Sequence, residues 1–234
     1  MPLNTKITVF ILAGGFGTRL QESVPNCPKP MAPIAGRPFL EFQINWVLKQ
    51  LPNANIVLLT HYLANVIDQH FATWPQVSTL YEPDPLGTGG SIKRALQLCA
   101  DFKDPFLLLN GDTYLEADLN EFIAQSHDPI NLVACYQSDC SRFGQLVIEQ
   151  DRVVKFAEKN PNSGAGFINA GCYYFKDGSP LKLEESDRFS LENLLADFVA
   201  NQSALGVYCY RGIFIDIGVP SDYERMNLWA CSKP

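Results

Sequence analysis

Histidine is scarce in this chain, and its cysteines lack the spacing that usually marks a metal or disulfide site. Only three histidines occur among the 234 residues, and none forms a His-Glu-x-x-His or similar pattern. The seven cysteines are an odd number without any Cys-x-x-Cys pair, in a chain large enough to fold without covalent cross-links. The sequence therefore argues against a zinc site and a disulfide framework, and we expect any bound metal to be held by oxygen.

The chain also lacks an excess of positive charge and any long apolar run. Eighteen Lys and Arg residues face 25 Asp and Glu residues, which gives a formal net charge of −7. This balance argues against a nucleic-acid backbone or an anionic membrane surface as a partner, because both need a basic face. The apolar stretch near the N-terminus is too short to span a membrane and lacks a signal-peptide cleavage pattern, so we expect a cytoplasmic protein.

Three well-known site motifs are missing as well. The chain contains neither the P-loop pattern Gly-x-x-x-x-Gly-Lys-Ser/Thr nor the Gly-x-Ser-x-Gly elbow of serine hydrolases. The dinucleotide fingerprint fails because Gly15-Phe16-Gly17 is followed by Thr18-Arg19-Leu20, and no acidic residue ends the next predicted strand, residues 55–60. These absences disfavour P-loop enzymes, serine hydrolases and dehydrogenases.

A glycine-rich segment is nevertheless present directly after the first predicted strand, residues 6–12. It reads Leu12-Ala13-Gly14-Gly15-Phe16-Gly17-Thr18-Arg19-Leu20 and is followed by Pro28-Lys29-Pro30. Its three glycines would let backbone N–H groups approach a bulky anion, and Arg19 and Lys29 add positive charge beside them. The pattern predicts phosphate binding, although glycines alone would equally suit a tightly packed turn.

Strand and helix patterns alternate along the first half of the chain. Strands are predicted at 6–12, 55–60, 77–81 and 105–109, with a helix starting at Pro38, another at 62–71 and a third after the turn-rich stretch 82–91. The third helix is expected to bury Ile92, Ala95, Leu96 and Cys99. This alternation predicts an α/β fold with a Rossmann-like, mixed but mainly parallel sheet flanked by helices.

After residue 119 the pattern changes to strands that we expect to be antiparallel. They are predicted at 130–137, 144–150 and 153–158, and the last two are joined by a tight turn at Gln150-Asp151. A helix at 190–200 and strands at 205–210 and 213–217 follow. The final helix is predicted to start with a capping box formed by Ser221 and Glu224.

An apolar strand ends at Asn110-Gly111-Asp112, and this position is favourable for chemistry. In open α/β sheets, ligands bind beyond the carboxyl ends of the strands. Asp112 is therefore a candidate functional residue, although an Asp after a buried strand can also simply cap the next turn.

Taken together, residues 12–20 and Pro28-Lys29-Pro30 resemble the signature of the sugar-1-phosphate nucleotidyltransferases, the pyrophosphorylases that make nucleotide sugars. Further segments resemble motifs of this family in the same order from Ile11 to Tyr223. The resemblance implies a GT-A-like nucleotidyltransferase fold in one domain, without the β-helix extension of longer relatives. Residues 1–118 would form the nucleotide-binding half and residues 119–234 the sugar-phosphate-binding half.

The resemblance also implies roles for individual residues of the first half. Asp112 and the later Asp216 would hold one Mg²⁺, Arg19 would take up charge on the departing pyrophosphate, and Lys29 would orient and screen the reacting phosphates. The segment Leu86-Gly87-Thr88-Gly89-Gly90 resembles the family's base-recognition loop. The nucleotide-binding residues would be Leu12, Ala13, Gly14, Gly15, Gly17, Thr18, Glu82, Gly87, Thr88, Gly90, Asn110 and Gly111.

In the second half, two segments resemble the parts of the family that bind the sugar phosphate. Glu158 and Lys159 would hold the phosphate, although Asn160 separates them from Pro161, a departure from the family's Glu-Lys-Pro order. Asn169 and Gly171 lie in a segment like the one that contacts sugar hydroxyls. Charged residues that follow a strand can also be merely solvated.

The implied reaction needs no catalytic His, Ser or Cys, because a sugar 1-phosphate oxygen is already ionised at neutral pH. The chain looks most like the bacterial D-glycero-α-D-manno-heptose 1-phosphate guanylyltransferases, so we expect GTP and that heptose 1-phosphate as substrates. Glu82 or Asp84 could accept hydrogen bonds from guanine, or either could be a solvated turn acid. A uridylyltransferase for N-acetylmuramate 1-phosphate or a hexose 1-phosphate, and a catalytically silent nucleotide-sugar-sensing subunit, remain alternatives. A homodimer is also compatible with the resemblance.

Overall fold

A computed structural model describes residues 6–17, 20, 24–99 and 104–233 of the chain. The predicted site residues Thr18 and Arg19 lie outside the described residues. The chain forms two compact units that are interleaved in sequence. The first unit comprises Met1–Pro85, Leu109–Glu116 and Ile213–Pro234, and the second comprises Leu86–Leu108 and Ala117–Gly212.

Thirteen strands and seven α-helices are present in the described part of the chain. The strands are β1 (Thr8–Leu12), β2 (Pro33–Ile34), β3 (Arg37–Pro38), β4 (Asn55–Thr60), β5 (Val77–Tyr81), β6 (Phe106–Asn110), β7 (Thr113–Leu115), β8 (Ile130–Gln137), β9 (Gln145–Glu149), β10 (Arg152–Phe156), β11 (Gly166–Phe175), β12 (Leu205–Tyr210) and β13 (Phe214–Asp216). The helices are α1 (Phe39–Gln50), α2 (Ala64–Phe71), α3 (Gly87–Leu98), α4 (Leu119–Gln125), α5 (Ser179–Lys182), α6 (Leu191–Ala200) and α7 (Pro220–Ser232), and a 3₁₀ turn covers Lys29–Met31. Within the described ranges, none of these helices has the length and apolar character needed to cross a membrane.

The first unit is built on parallel strands. β1 pairs with β4 and β4 with β5, both in parallel, with Thr8 opposite Asn55 and Ile56 opposite Val77. Three consecutive β1 residues, Val9 to Ile11, are fully buried, as expected of a strand covered on both faces. Helix α1 contributes Leu40, Ile44 and Val47 to the core, and β13 pairs antiparallel with β7.

The second unit contains a mixed sheet in which antiparallel pairing dominates. β8 pairs antiparallel with β11 and parallel with β12, while β10 pairs antiparallel with both β9 and β12. The β9–β10 hairpin turns at Gln150 and Asp151, whose φ values of 47° and 59° suit a two-residue hairpin turn. The α/β class expected from the sequence is therefore confirmed, with parallel pairing concentrated in the first unit.

Two predicted helix starts, at Pro38 and at Ser221, are wrong. Pro38 is the residue before α1 rather than its first residue, because it pairs with Pro33 in the β2–β3 hairpin. The predicted capping box at Ser221 does not form. Helix α7 begins one residue earlier, at Pro220, because the missing N–H of proline costs nothing at the first helical position. The N-cap is therefore Val219, whose apolar side chain cannot make a capping bond.

The glycine-rich segment 86–90 is also not the loop that we expected. Helix α3 begins at Gly87, so these glycines form its first turn. Cys99, predicted on the buried side of this helix, is exposed and follows the last helical residue. The ten-residue strand β11 was not predicted because a register shift between Asn169 and Tyr173, with Gly171 at φ +67°, interrupts the alternating pattern.

Candidate active site

The glycine-rich segment after β1 packs closely against its surroundings at some glycines and not at others. A Cβ on Gly14 would lie 3.0 Å from the His61 Cβ, and one on Gly17, which has φ +59°, would lie 2.7 Å from the Lys29 Cβ. A Cβ on Gly15 would meet no atom within 4 Å. Packing therefore accounts for Gly14 and Gly17 but not for Gly15, whose role in phosphate binding stays a prediction.

Backbone contacts bring the end of β1 against the Asn110-Gly111-Asp112 turn. The Gly111 N–H donates to the Leu12 carbonyl oxygen at 3.1 Å. A Cβ on Gly111 would lie only 2.3 Å from that same oxygen, so glycine is required for this approach. Ala13 follows, fully buried, and its N–H donates to the Leu59 carbonyl oxygen at 2.9 Å.

Two carboxylates that are distant in sequence meet around one lysine. The Lys29 Nζ lies 2.6 Å from Asp112 Oδ2 and 3.5 Å from Asp216 Oδ1. The β7–β13 pairing places Asp216 opposite Thr113, and the Ile217 N–H donates to the Asp112 carbonyl oxygen at 3.0 Å. The structure thus brings three of the predicted site residues together. The exposed fraction of the side chain is 10 % for Lys29, 38 % for Asp112 and 22 % for Asp216.

The electrostatics of this cluster favour a cation between the two carboxylates. Burial raises the pKa of Asp216 above its ordinary value, and the charge of Asp112 adds to this effect. The Lys29 ammonium and the Gly218 N–H, which donates to Asp216 Oδ1 at 2.7 Å, oppose it. Positive charge placed beside Asp216 therefore favours the charged form of this carboxylate.

The donor chemistry of Asp112 and Asp216 fits a hard divalent cation, which prefers carboxylate oxygens. Among residues 6–17, 20, 24–99 and 104–233, no group of three or more His, Cys, Asp or Glu side chains could enclose a metal by itself. A metal held by this pair would need water or substrate oxygens to complete its coordination, which is typical of Mg²⁺ at phosphate-transfer sites.

Glu82 lies at the end of β5 and is held through its backbone. Its N–H donates to the Thr60 carbonyl oxygen at 2.8 Å, and the His61 Nδ1 lies 2.7 Å from the Glu82 carbonyl oxygen. The Glu82 residue is 7 % exposed, so it is not a solvated turn acid. The adjacent His61 and Tyr62 rings lie 5.4 and 5.5 Å from the ring of Phe16, which is 46 % exposed within the glycine-rich segment.

The first turn of α3 packs against another segment of the second unit. The N–H groups of Gly89 and Gly90 donate to the Phe189 carbonyl oxygen at 3.1 and 3.4 Å. A Cβ on Gly89 would lie 2.1 Å from the Phe189 ring, and Gly87 has φ +76°. These glycines are therefore needed for packing, and their role in base binding stays a prediction.

Thr88 also has partners within the second unit. Its hydroxyl donates to Glu192 Oε2 at 3.0 Å and accepts from the Leu191 N–H at 2.8 Å. The hydroxyl thereby links the starts of α3 and α6. A role for Thr88 in nucleotide binding stays a prediction.

The residues predicted to bind the sugar phosphate lie on or after strands of the second unit. Glu158 and Lys159 are exposed and follow β10. The Asn169 amide donates to the Tyr173 hydroxyl at 2.8 Å and accepts from the Gly171 N–H at 3.1 Å, so it stabilises the irregular part of β11. The role of these four residues in binding the sugar phosphate stays a prediction.

Sequence reasoning overlooked residues that surround the predicted ones. Phe16, His61 and Tyr62 are ordinary residues in the sequence, and only the ends of β1 and β4 bring their rings together. Gln43 lies in the middle of α1, where a polar residue usually faces water, yet it is fully buried. No spacing rule would have found any of them.

Comparison with known proteins gives consistent matches along the chain. Residues 8–232 match the family described as Nucleotidyl transferase. The chain is 36 % identical over 217 residues to the D-glycero-alpha-D-manno-heptose 1-phosphate guanylyltransferase of Campylobacter jejuni, covering 91 % of this chain and 95 % of the relative. It is 32 % identical over 221 residues to the enzyme of the same name from Aneurinibacillus thermoaerophilus, covering 92 % and 94 %.

Solved structures show the same relationship. HddC from Yersinia pseudotuberculosis, crystallised in complex with GMP-PN, superposes with a TM-score of 0.82 at 32 % identity, covering 96 % of this chain and 99 % of that one. The inositol-1-phosphate CTP transferase from T. maritima superposes with a TM-score of 0.77 at 18 % identity, which indicates a shared fold alone.

Proposed function

This chain belongs to the nucleotidyl transferase family, and from this premise we propose that it transfers the guanylyl group of GTP to D-glycero-α-D-manno-heptose 1-phosphate and releases pyrophosphate. The observation that carries the proposal is the cluster of Lys29, Asp112 and Asp216 beside the glycine-rich segment. The choice of GTP and heptose follows the names of the relatives that match almost end to end.

The chemistry needs positioning and charge more than acid–base groups. The sugar 1-phosphate oxygen is the nucleophile and attacks the α-phosphorus of GTP, while the bond from that phosphorus to the β-phosphate oxygen breaks. Lys29 would orient and screen the reacting phosphates, and its two carboxylate partners limit the directions in which its ammonium can point. Arg19, supported by the motif alone, would neutralise the departing pyrophosphate, and Thr18, its neighbour in the sequence, would bind the nucleotide.

Members of this family generally use a divalent metal. We assign Mg²⁺ to Asp112 and Asp216, because two hard oxygen donors that leave room for phosphate oxygens suit this ion. When bound, it would supply charge neutralisation at the reacting phosphates. Lys29 lies within hydrogen-bond distance of both carboxylates, so it would keep the two side chains close together.

We assign to Glu82 the recognition of guanine as the base of the nucleotide. Its burial and its two backbone hydrogen bonds hold the residue at the end of β5, where an open α/β sheet binds its ligands. A carboxylate there would accept from guanine N1–H and N2–H₂, whereas adenine offers an acceptor at N1 and would leave the charge unpaired. Leu12, Ala13, Gly14, Gly15, Gly17, Asn110 and Gly111 would contact the rest of the nucleotide, together with Gly87, Thr88 and Gly90.

The remaining assignments rest on the motifs of the second half. Lys159 is exposed, as a residue that must reach a phosphate should be, and with Glu158 it would hold the sugar phosphate. Asn169 and Gly171 would contact sugar hydroxyls. We also propose that residues 1–118 bind the nucleotide and residues 119–234 the sugar phosphate. We further propose that the chain acts in the cytoplasm and that it forms a homodimer.

A substrate panel tests the proposed function. The purified chain would be incubated with each of the four common NTPs and with heptose, hexose and N-acetylmuramate 1-phosphates, and released pyrophosphate would be measured. We expect the fastest release with GTP and the heptose 1-phosphate. Preference for UTP would replace the guanylyl assignment with a uridylyl one. Binding of nucleotide sugars without any pyrophosphate release would indicate a sensing subunit and overturn the proposal.

A further inference from the structure

Gln43 is a polar side chain inside an apolar part of the first unit. It lies in α1 between buried residues, and its own exposed fraction is 0 %. The Gln43 Nε2 donates one hydrogen bond to the Asn110 carbonyl oxygen at 2.7 Å and another to the Thr113 carbonyl oxygen at 2.9 Å. Both donor hydrogens of the amide are thus directed at one short stretch of backbone.

That stretch carries a predicted metal ligand. Asn110 and Thr113 flank Gly111 and Asp112, so the Gln43 amide holds the backbone on both sides of the carboxylate. Two further backbone contacts of the turn are the Gly111 N–H bond to the Leu12 carbonyl oxygen and the Ile217 N–H bond to the Asp112 carbonyl oxygen. Because two carbonyl oxygens accept from it, the nitrogen of the Gln43 amide must face the turn.

Packing alone does not account for an amide at this place. The Gln43 Oε1 is buried, and no hydrogen-bond partner for it exists in the described part of the chain. A buried polar atom without a partner destabilises the fold, and an unbranched apolar side chain of similar length would fill the same space without that cost. The gain from this residue therefore lies in its two N–H donors.

We propose that Gln43 is a positioning residue that sets the direction of the Asp112 carboxylate toward a divalent cation. The proposal rests on the proposed function, because it takes Asp112 as a metal ligand. Residues that hold a ligand in place typically change metal affinity by about 10-fold to 100-fold when they are replaced. Since Gln43 acts through the backbone rather than on the carboxylate itself, we expect the lower end of this range.

Two substitutions distinguish the effect of the N–H donors of Gln43 from the effect of its side-chain volume. Gln43→Met keeps an unbranched chain of similar length without any N–H, and it also removes the unpaired oxygen, so it should fold. Gln43→Glu keeps the shape but replaces the donor with an acceptor facing two carbonyl oxygens. The matched control is Ile44→Val. Ile44 is a fully buried neighbour in the same helix, and this change removes one methylene group without removing a side-chain hydrogen-bond donor.

The main readout is Mn²⁺ binding, measured by the electron paramagnetic resonance signal of free Mn²⁺ without nucleotide, with thermal unfolding alongside it. We expect Gln43→Met to raise the Kd for Mn²⁺ about tenfold, and Gln43→Glu to raise it at least as much. Ile44→Val should lower the unfolding temperature and leave the Kd unchanged. In turnover assays, the Mg²⁺ concentration for half-maximal rate should rise by the same factor as the Mn²⁺ Kd.

The proposal is overturned if Gln43→Met binds Mn²⁺ within twofold of wild type, or if Ile44→Val weakens binding as much. It is also overturned if Asp112→Asn leaves Mn²⁺ binding unchanged, because Asp112 would then not be a ligand. Failure of the proposed function has a different signature. A wild-type chain that binds Mn²⁺ through Asp112 but releases no pyrophosphate would refute the function and leave the role of Gln43 to be decided by the Kd values.

Discussion

Removal of the charge of Lys29 should destabilise the fold, and the size of the loss follows from the geometry of its cluster. At 2.6 and 3.5 Å, and with an effective dielectric constant of about 20, the attractions to Asp112 and Asp216 are about 6 and 5 kcal/mol before desolvation. Desolvation cancels much of this, and losing one partner of a buried ion pair costs about 3–5 kcal/mol. Because the Asp112 side chain is 38 % exposed, we expect Lys29→Met to lower the free energy of unfolding by about 2–3 kcal/mol.

Urea unfolding followed by circular dichroism at neutral pH measures this loss. The matched control is Lys49→Met in α1, where the lysine is exposed and a change within about 0.5 kcal/mol is expected. At ten times its Kd for the variant, Mg²⁺ should stabilise Lys29→Met by roughly 1.4 kcal/mol. It should stabilise wild type less, because only in the variant does the cation take over the role of the ammonium. A loss below about 1 kcal/mol, or an equal response of both proteins to Mg²⁺, would refute this reasoning.

The remaining predictions concern turnover and pH. Asp112→Asn and Asp216→Asn should each slow pyrophosphate release by orders of magnitude, and the double variant should cost little more, since the two act as a unit; near-normal activity in either single variant would contradict the metal assignment. Glu82→Gln should weaken GTP use by roughly 1–3 kcal/mol in steady-state assays with little effect on the heptose 1-phosphate, and an unchanged variant would mean that the backbone reads the base. Burial alone would raise the pKa of Glu41, but hydrogen bonds from Arg37 and His70 outweigh it and hold the pKa below its ordinary value. The stability that Glu41 contributes should therefore be present above its unfolded-state pKa of about 4.5 and be lost as pH falls through the lower folded-state value, so that the unfolding temperatures of wild type and Glu41→Gln converge in acid; a constant difference would argue against the shift.

The sequence predicts best those site residues that directly follow a strand. Asp112 follows a buried strand, and an acid there points to chemistry because parallel strands present their carboxyl ends at one edge. Its meeting with Asp216 was implied by the family motifs, and the β7–β13 pairing provides the physical reason. Local patterns in the sequence contain no information about that pairing.

Predictions from the sequence fail where a contact with a distant segment determines the local structure or the burial of a side chain. Gly87 to Gly90 suggest a loop by composition, yet the Phe189 carbonyl oxygen accepts from the N–H groups of Gly89 and Gly90 and lets a helix begin there. Gln43 suggests a solvent-facing position, yet its acceptors are carbonyl groups about 70 residues further along the chain. In both cases a tertiary contact satisfies polar groups that local patterns leave unassigned.

Isotope transfer tests the central claim, guanylyl transfer to a sugar 1-phosphate by this chain, most directly. The purified protein would be incubated with the heptose 1-phosphate and with GTP labelled with ³²P at either the α or the γ position. The account predicts that the α label appears in a GDP-sugar and the γ label in pyrophosphate, and that Asp112→Asn slows the appearance of both by orders of magnitude. Release of the γ label as inorganic phosphate, or its transfer to the sugar, would show attack at a different phosphorus and contradict the account.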